Sequence, residues 1–200
     1  MTMVGIRERK RLSTRARIME SACDLFAARG IEAVTVEEIA AAADVGKGTV
    51  YNYFSAKEDI AVAFLIEIDR KALDSIALLP ADGMSVADAL DAAAWCLLER
   101  KPPYRAFVRA FMARVFAADH FAYELAEFQA QLDEALGALF ARLLARAGAR
   151  KAVSIDEQVM SFKTMHFGIS AIWVLEGPPF AAARTLTRRH MTLLAKGIEQ

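Results

Sequence analysis

Helical periodicity runs through almost the whole sequence, and it restricts the possible folds more than any other feature. Apolar residues recur every three or four positions, and no long stretch alternates apolar and polar residues as a half-buried strand would. Breaks in the pattern coincide with glycine or proline, at Gly30, Pro80, Gly148 and Gly177. The sequence therefore predicts an all-α fold of about nine helices.

Composition indicates that such a chain buries a large core. Of its 200 residues, 56% are hydrophobic and 25% are charged, which excludes a disordered protein. Cys23 and Cys96 lie far apart in helical patterns, and free thiols of this kind are typical of a reducing cytoplasm. The most apolar segment, residues 167–175, is shorter than the ~18 residues that cross a bilayer. We expect a cytoplasmic protein with no membrane segment, no cofactor and no metal.

Formal charge is balanced overall but unevenly distributed. Residues 1–17 contain six basic residues and one acidic residue, a net charge of +5, which leaves −5 for the rest of the chain. We expect residues 1–13 to form a basic arm. Two interpretations stay open: the arm contacts the phosphates or the minor groove of a nucleic acid, or it is a solvated tail.

A helix-turn-helix is predicted between residues 35 and 57. Thr35 and Glu38 have the spacing of a capping box, which begins a short helix. Residues 44–46 break that helix, and a second short helix follows from about residue 47 to residue 54, with Val45 and Val50 facing inward. The second helix of such a motif enters the major groove of DNA.

The outward side of that second helix carries side chains that suit a nucleic acid. Tyrosine, threonine and lysine donate to phosphates, and asparagine or lysine can also contact base edges. Gly46 and Gly48 keep the start of the helix slim, so that its backbone can approach a duplex closely. The predicted DNA-binding residues are Thr35, Lys47, Gly48, Thr49, Tyr51, Asn52, Tyr53 and Lys57. The alternative, a plain αα-hairpin within a bundle, leaves the cluster of tyrosine and asparagine unexplained.

The runs TVEEIA at 35–40 and DVGKGTVYNYFSAKE at 44–58 resemble the tetracycline-repressor-type (TetR) family of bacterial regulators. The resemblance covers residues 14–65. It implies a three-helix DNA-binding domain at 14–58, followed at 59–200 by a larger helical domain for effector binding and dimerisation. Asp44 replaces the usual turn glycine, and aspartate tolerates the left-handed conformation. Gly46 replaces the usual capping serine, and glycine also caps a helix.

Large apolar side chains are concentrated in the body of the chain, and most of them are expected to form its core. An all-helical body with many aromatic and methionine side chains can also leave an apolar pocket. The resemblance implies that this pocket binds a small effector, here an apolar or aromatic one. The candidate pocket residues are Trp95, Phe107, Phe111, Met112, Phe128, Met165, His166 and Trp173. His166 either orients that ligand or bonds to a neighbouring side chain.

Residues 165–175 are apolar nearly all round, and a helix of that kind must be buried on every side. A second copy of the chain would supply part of the cover. The last helix adds an apolar stripe at Leu186, Leu193, Leu194 and Ile198. We expect a homodimer through the last two helices, and twofold symmetry then predicts a pseudo-palindromic DNA operator.

Motifs of catalysis are missing from the sequence. No histidine follows a glutamate at Glu-x-x-His spacing, and no zinc-protease or phosphate-loop pattern is complete. Asp119, His120 and Glu124 are interpreted as charges near a helix start, not as metal ligands. We predict a DNA-binding transcriptional regulator, a repressor released by its effector, and not an enzyme. The alternative is a helical ligand-binding or scaffold module without specific DNA binding.

Overall fold

The computed structural model describes residues 5–80, 83–117, 123–147 and 154–199. All regular secondary structure in these ranges is helical, as the sequence predicts. The α-helices are α1 (Ile6–Arg29), α2 (Val36–Ala42), α3 (Lys47–Tyr51), α4 (Lys57–Ala77), α5 (Val86–Cys96), α6 (Arg105–Ala117), α7 (Tyr123–Ala147), α8 (Ile155–Glu176) and α9 (Ala181–Glu199), with a 3₁₀ turn at Pro102–Tyr104. None of these helices combines the length and the apolar character that crossing a bilayer requires.

The first helix begins earlier than predicted. We expected a helix from about Thr14 after a separate arm, but α1 starts at Ile6 with Gly5 as its N-cap. Residues 6–29 contain neither glycine nor proline, and their arginine, lysine, glutamate and leucine residues favour a helix. An ion pair one turn apart, between Arg11 and Glu8 at 2.8 Å, adds to this preference. Most of the predicted arm is therefore helical.

The chain divides into two compact units, and the first is not continuous in sequence. It comprises Met1–Leu65 and Ala106–Asp119, and the second comprises Ile66–Arg105 and His120–Gln200. In the first unit, the Phe107 ring packs edge-on against Phe26 at 5.7 Å and against Phe64 at 5.6 Å. The predicted boundary between residues 58 and 59 differs from this division, because α4 passes it without a break and Phe64 packs within the first unit.

The core of the second unit is formed by α5, α7, α8 and α9, with α9 packed against both α5 and α8. Trp173 is fully buried and stacks on Phe180, with ring centroids 4.6 Å apart. Arg184 of α9 forms a bidentate ion pair with Asp91 of α5, with both N–O distances 2.8 Å. Its guanidinium also lies 4.7 Å from the centroid of the Trp95 ring. These contacts attach α9 to α5.

The predicted apolar stripe of α9 is divided between the core and the surface. Leu194 and Ile198 are 8% and 3% exposed, whereas Leu193 is 54% exposed. Leu186 is half-buried. Part of the predicted stripe is thus buried within its own chain, where α9 packs against α5 and α8, and Leu193 is its most exposed member.

Both ends of α8 follow sequence signals. The Glu157 N–H donates to Ser154 Oγ at 3.2 Å, and the Ser154 N–H donates to the Glu157 carboxylate at 3.0 Å, which makes a capping box. Gly177, with a φ of +73°, ends the helix. Arg105 Nε donates to the Val174 carbonyl at 2.7 Å, so a cation lies at the negative end of the helix dipole.

Candidate nucleic-acid interface

The predicted capping box begins α2. The Glu38 N–H donates to Thr35 Oγ1 at 3.3 Å, and the Glu38 carboxylate accepts the N–H and the hydroxyl of Thr35 at 2.8 and 2.9 Å. The hydrogen bond from Arg29, followed by those from Thr35, lowers the pKa of Glu38 to about 2. The hydroxyl of Thr35 is thus engaged within the chain, and a phosphate would have to displace Glu38 from it.

The turn between α2 and α3 takes the conformation that its sequence predicts. Asp44 has a φ of +50°, in the left-handed region, and the Val45 N–H donates to the Ala40 carbonyl at 3.0 Å. Gly46 is extended, with φ −72° and ψ 149°, and caps α3 without a side-chain hydrogen bond. Its carbonyl accepts the Thr49 N–H at 2.8 Å.

One side of α3 faces inward and the other faces outward. Val50 is 1% exposed, whereas Tyr51 is 47% exposed. Among the other predicted contacts, Lys47, Gly48 and Asn52 are exposed, and Thr49 and Tyr53 are half-buried. The inward Val50 and the outward Tyr51 and Asn52 are therefore as predicted, whereas Val45, predicted to face inward, is half-buried. The helix ends at Tyr51 and not near residue 54, because the Tyr53 N–H bonds in a tighter turn to the Val50 carbonyl at 3.0 Å.

Lys47 is paired with an acidic residue that the sequence analysis did not single out. Its ammonium donates to the Glu37 carboxylate of α2 and lies 5.9 Å from the centroid of the Tyr51 ring. Their hydrogen bond lowers the pKa of Glu37 and raises the pKa of Lys47. No helical periodicity predicts a pair ten positions apart across a turn, so only the packing of α2 against α3 reveals it.

Lys57 is half-buried and has a structural role that was not predicted. Its ammonium donates to the carbonyls of Glu32 and Val34, at 3.1 and 2.9 Å. Both carbonyls belong to the loop between α1 and α2. Two of its three N–H groups are thereby directed at this loop.

Arg15 connects the basic part of α1 with the end of the helix-turn-helix. Its guanidinium lies 5.0 Å from the centroid of the Phe54 ring, in a cation–π contact. One and two turns before it, Arg11 and Arg7 are exposed. Because residues four positions apart share a face of a helix, these arginines extend the face that bears Arg15.

The candidate effector residues are divided between the two units. In the first unit, Phe107 is buried, and Phe111 and Met112 are half-buried. In the second unit, Phe128 and Trp173 are buried, and Trp95, Met165 and His166 are half-buried. Trp173 and Phe107 each pack against other aromatic rings in their own unit, as core residues do.

His166 lies on α8 with its ring parallel to Phe162, at a centroid distance of 6.1 Å. One ring nitrogen, Nε2, is 3.4 Å from the Ser170 hydroxyl. The other, Nδ1, is buried and has no hydrogen-bond partner among the described residues. Burial, and secondarily the charge of Lys101, lower the pKa of His166 to about 3, so the ring is neutral.

The second unit also contains an ion pair that no sequence pattern predicts. The Lys101 ammonium lies 2.9 Å from Asp69 Oδ1, and the two side chains are 10% and 15% exposed. Burial raises the pKa of Asp69, against the opposing effect of Lys101. Asp69 stands among polar residues of α4 and Lys101 among charged residues before Pro102, so in sequence each is typical of a solvated surface.

Asp119, His120 and Glu124 are the residues that the sequence indicates as charges near a helix start. Asp119 and His120 lie outside the described residues, and the side chain of Glu124 is not described. Within the described ranges, no three side chains of histidine, cysteine, aspartate or glutamate gather as metal ligands would.

Comparison with known proteins identifies the family. Residues 18–64 match the family model for bacterial regulatory proteins of the tetR family. The HTH-type transcriptional regulator TcmR of Streptomyces glaucescens is 31% identical over 187 residues, which cover 86% of this chain and 77% of TcmR. The chain belongs to the TetR family.

Two further proteins resemble this TetR-family regulator. The HTH-type transcriptional repressor KstR2 of Rhodococcus jostii is 37% identical over 89 residues, covering 39% of this chain and 44% of KstR2. The crystal structure of Thermus thermophilus FadR, a TetR-family repressor in complex with lauroyl-CoA, superposes with a TM-score of 0.76 at 20% identity, covering 92% of this chain and 94% of FadR. At that identity the likeness to FadR concerns the fold. This TetR-family chain is a DNA-binding transcriptional regulator, as the sequence predicts.

Proposed function

We propose that this chain acts as a homodimeric repressor, which reads a pseudo-palindromic operator through α3 and leaves it when a small apolar or aromatic effector binds. The exposure of Tyr51 and Asn52 beside the buried Val50 carries this proposal. Large aromatic and amide side chains on the outside of a short helix suit phosphates and base edges better than they suit water.

The DNA contacts would be shared between α3 and its supports. Tyr51 and Asn52 would read the major groove, and Lys47 would exchange its partner Glu37 for a phosphate. Gly48 would allow close approach of the backbone, with Thr49, Tyr53, Thr35 and Lys57 contacting phosphates. The basic first turns of α1 support a further phosphate contact, because the charge of +5 over residues 1–17 is opposite to that of DNA.

The dimer would form through α8 and α9. Met160, Phe167 and Leu175 of α8 are 60%, 37% and 80% exposed, and their spacing of seven and eight positions places them on one face. Gly168 lies beside this face, and a Cβ added to it would have nothing within 4 Å, so another backbone could approach closely. An apolar face of this length favours burial against a second copy.

The effector is proposed by chemical class. Trp95 and Met165 of the second unit are half-buried, and apolar side chains of this kind suit an apolar ligand. FadR of Thermus thermophilus binds lauroyl-CoA, which makes an acyl chain a second candidate beside an aromatic ring.

The DNA-binding proposal is tested by measuring binding of the purified chain to its own upstream DNA over a salt series. We expect Tyr51→Ala and Asn52→Ala each to weaken specific binding by about 1–3 kcal/mol, while unfolding is unchanged. Leu78→Ala is the matched control, because Leu78 is 82% exposed and lies outside the helix-turn-helix. A shallow salt dependence without sequence preference would instead favour the scaffold alternative.

The dimer proposal is tested by sedimentation equilibrium. Leu175→Glu with Met160→Glu would place charges in the proposed interface and should give monomers, whereas Leu78→Glu should not. A wild-type chain that is monomeric at micromolar concentration would refute the proposal.

A further inference from the structure

We propose that Glu37 competes with DNA for Lys47: it holds this lysine in the free regulator and thereby lowers the affinity of the helix-turn-helix for DNA of any sequence. This inference rests on the proposed function, because it assigns to Glu37 a part in DNA binding through α3. It depends on three observations within the first unit: a direct ion pair, the exposure of both partners, and a capping box that uses a different carboxylate.

The ion pair joins the two helices of the motif. Glu37 is the second residue of α2, and Lys47 is the first residue of α3. The Lys47 ammonium donates to Glu37 Oε1 and lies 5.9 Å from the centroid of the Tyr51 ring. Tyr51 is exposed on the outward side of α3. Glu37 therefore places a negative charge next to the surface that would meet the phosphates.

Both partners of the pair are exposed, which makes the pair exchangeable. The side chains of Lys47 and Glu37 are 51% and 60% exposed. Ion pairs at the surface contribute little to stability, because water and salt compete with them. Lys47 can therefore leave Glu37 for a phosphate while the fold is kept.

The capping of α2 does not account for Glu37. Glu38 makes the capping box with Thr35, and it also accepts a hydrogen bond from Arg29 at 2.7 Å. Glu38 is thus fixed by the fold, whereas Glu37 is paired with a cation of the proposed DNA-binding surface. The hydrogen bond from Lys47 lowers the pKa of Glu37, so this carboxylate keeps its charge at neutral pH.

Binding to DNA would leave the Glu37 carboxylate without its partner. When Lys47 moves to a phosphate, Glu37 lies near a chain of like charges. It must then take up a cation from solution, which offsets part of the counterion release that drives binding. Because phosphates are present in every sequence, the penalty applies to all DNA and leaves sequence preference to Tyr51 and Asn52.

The test compares Glu37→Gln with the wild-type chain, because glutamine keeps the size of the side chain and removes its charge. Fluorescence anisotropy over a salt series measures the affinity of each protein for its upstream DNA and for an unrelated duplex of the same length. We expect Glu37→Gln to bind both duplexes about two- to fivefold more tightly, as the loss of one exposed ion pair allows, and to steepen the salt slope by up to about 0.9. Glu134→Gln makes the same change at an exposed position in the second unit, and it should change neither quantity.

A second pair of proteins separates competition for Lys47 from simple repulsion of DNA. In a Lys47→Met background there is no cation for Glu37 to hold, so Glu37→Gln should have a smaller effect there than in the wild-type chain. An effect of equal size in both backgrounds would overturn the inference.

Three other results would also overturn it: weaker binding by Glu37→Gln, which would make Glu37 a positioning residue for Lys47; unchanged binding; or a gain confined to the upstream DNA. Thermal unfolding checks that each variant is folded, and Glu37→Ala repeats the test with a different neutral side chain. A wild-type chain that binds both duplexes equally would refute the repressor proposal, and the comparison with Glu37→Gln on either duplex would still decide this inference. No binding of DNA by any of these proteins would refute both.

Discussion

Replacing Lys57 with methionine should weaken both folding and DNA binding. Methionine keeps most of the apolar stem but removes the ammonium, which donates to the carbonyls of Glu32 and Val34 at 3.1 and 2.9 Å. A hydrogen bond from a charged group contributes about 1.5–3 kcal/mol. Glu32 lies at the surface, where water can replace the ammonium. We therefore expect a loss of about 1.5–3 kcal/mol, most of it from the bond to Val34, or ~3–12 °C in melting temperature.

The same variant tests the proposed phosphate contact. Binding to operator DNA, followed by fluorescence anisotropy over a salt series, gives the slope of log affinity against log salt. Loss of one phosphate contact should reduce the steepness of this slope by about 0.9. Lys57→Arg keeps the cation and should retain most of the slope. Lys47→Met should reduce the slope without destabilising the chain, because Lys47 is exposed and bonds to a side chain.

Each result has a distinct meaning. An unchanged melting temperature of Lys57→Met would show that the two carbonyl bonds contribute nothing to stability. A lower melting temperature with an unchanged slope would make Lys57 purely structural. Lys71→Met, at an exposed position in the second unit, should change neither quantity.

Three further predictions concern stability, measured by urea unfolding. Asp44→Val should destabilise the chain by about 1–2 kcal/mol, because a β-branched residue is strained at a φ of +50°, whereas Asp44→Gly should not. Arg184→Gln should lower the free energy of unfolding by about 1–3 kcal/mol, because it leaves the buried Asp91 carboxylate unpaired. Combining Arg184→Met with Asp91→Leu removes both charges and should recover most of that loss. The pKa of His166 in the folded chain is lowered to about 3, so as pH falls the unfolded chain takes up the His166 proton before the folded chain does. The free energy of unfolding should therefore decrease by ~1.4 kcal/mol per pH unit between about pH 6 and about pH 4. His166→Phe should lack this part of the pH dependence. If the free energy of unfolding varied with pH in the same way in His166→Phe and in the wild-type chain, the lowered pKa of His166 would be contradicted.

Much of the candidate interface could be predicted, because its determinants are local. The capping box of Thr35 and Glu38 and the left-handed Asp44 depend on residues within four positions of one another. The inward Val50 and outward Tyr51 follow from the helical period alone. The predicted start of α1 near Thr14 is wrong although its determinants are also local, because the helix-favouring residues before Thr14 continue the helix back to Ile6.

Other features could not be predicted, because they join distant parts of the chain. Lys57 bonds to carbonyls 23 and 25 positions earlier, and only the fold brings them together. The ion pair of Asp69 and Lys101 joins α4 to the segment after α5. The spacing of neither pair follows a helical period. In the sequence, each of these charged residues is typical of a solvated surface.

The helical class, the helix-turn-helix and the outward side of α3 follow from the amino-acid sequence alone. Each depends on hydrogen bonds and side-chain spacings that span only a few residues, so the types of neighbouring residues are enough to predict it. Tertiary packing, by contrast, sets which charged groups already have partners. It pairs Lys47 with Glu37, directs Lys57 to the α1–α2 loop and joins Lys101 to Asp69. Partners of this kind depend on which helices pack together, and packing sets the dielectric surroundings and the distances that govern a charge.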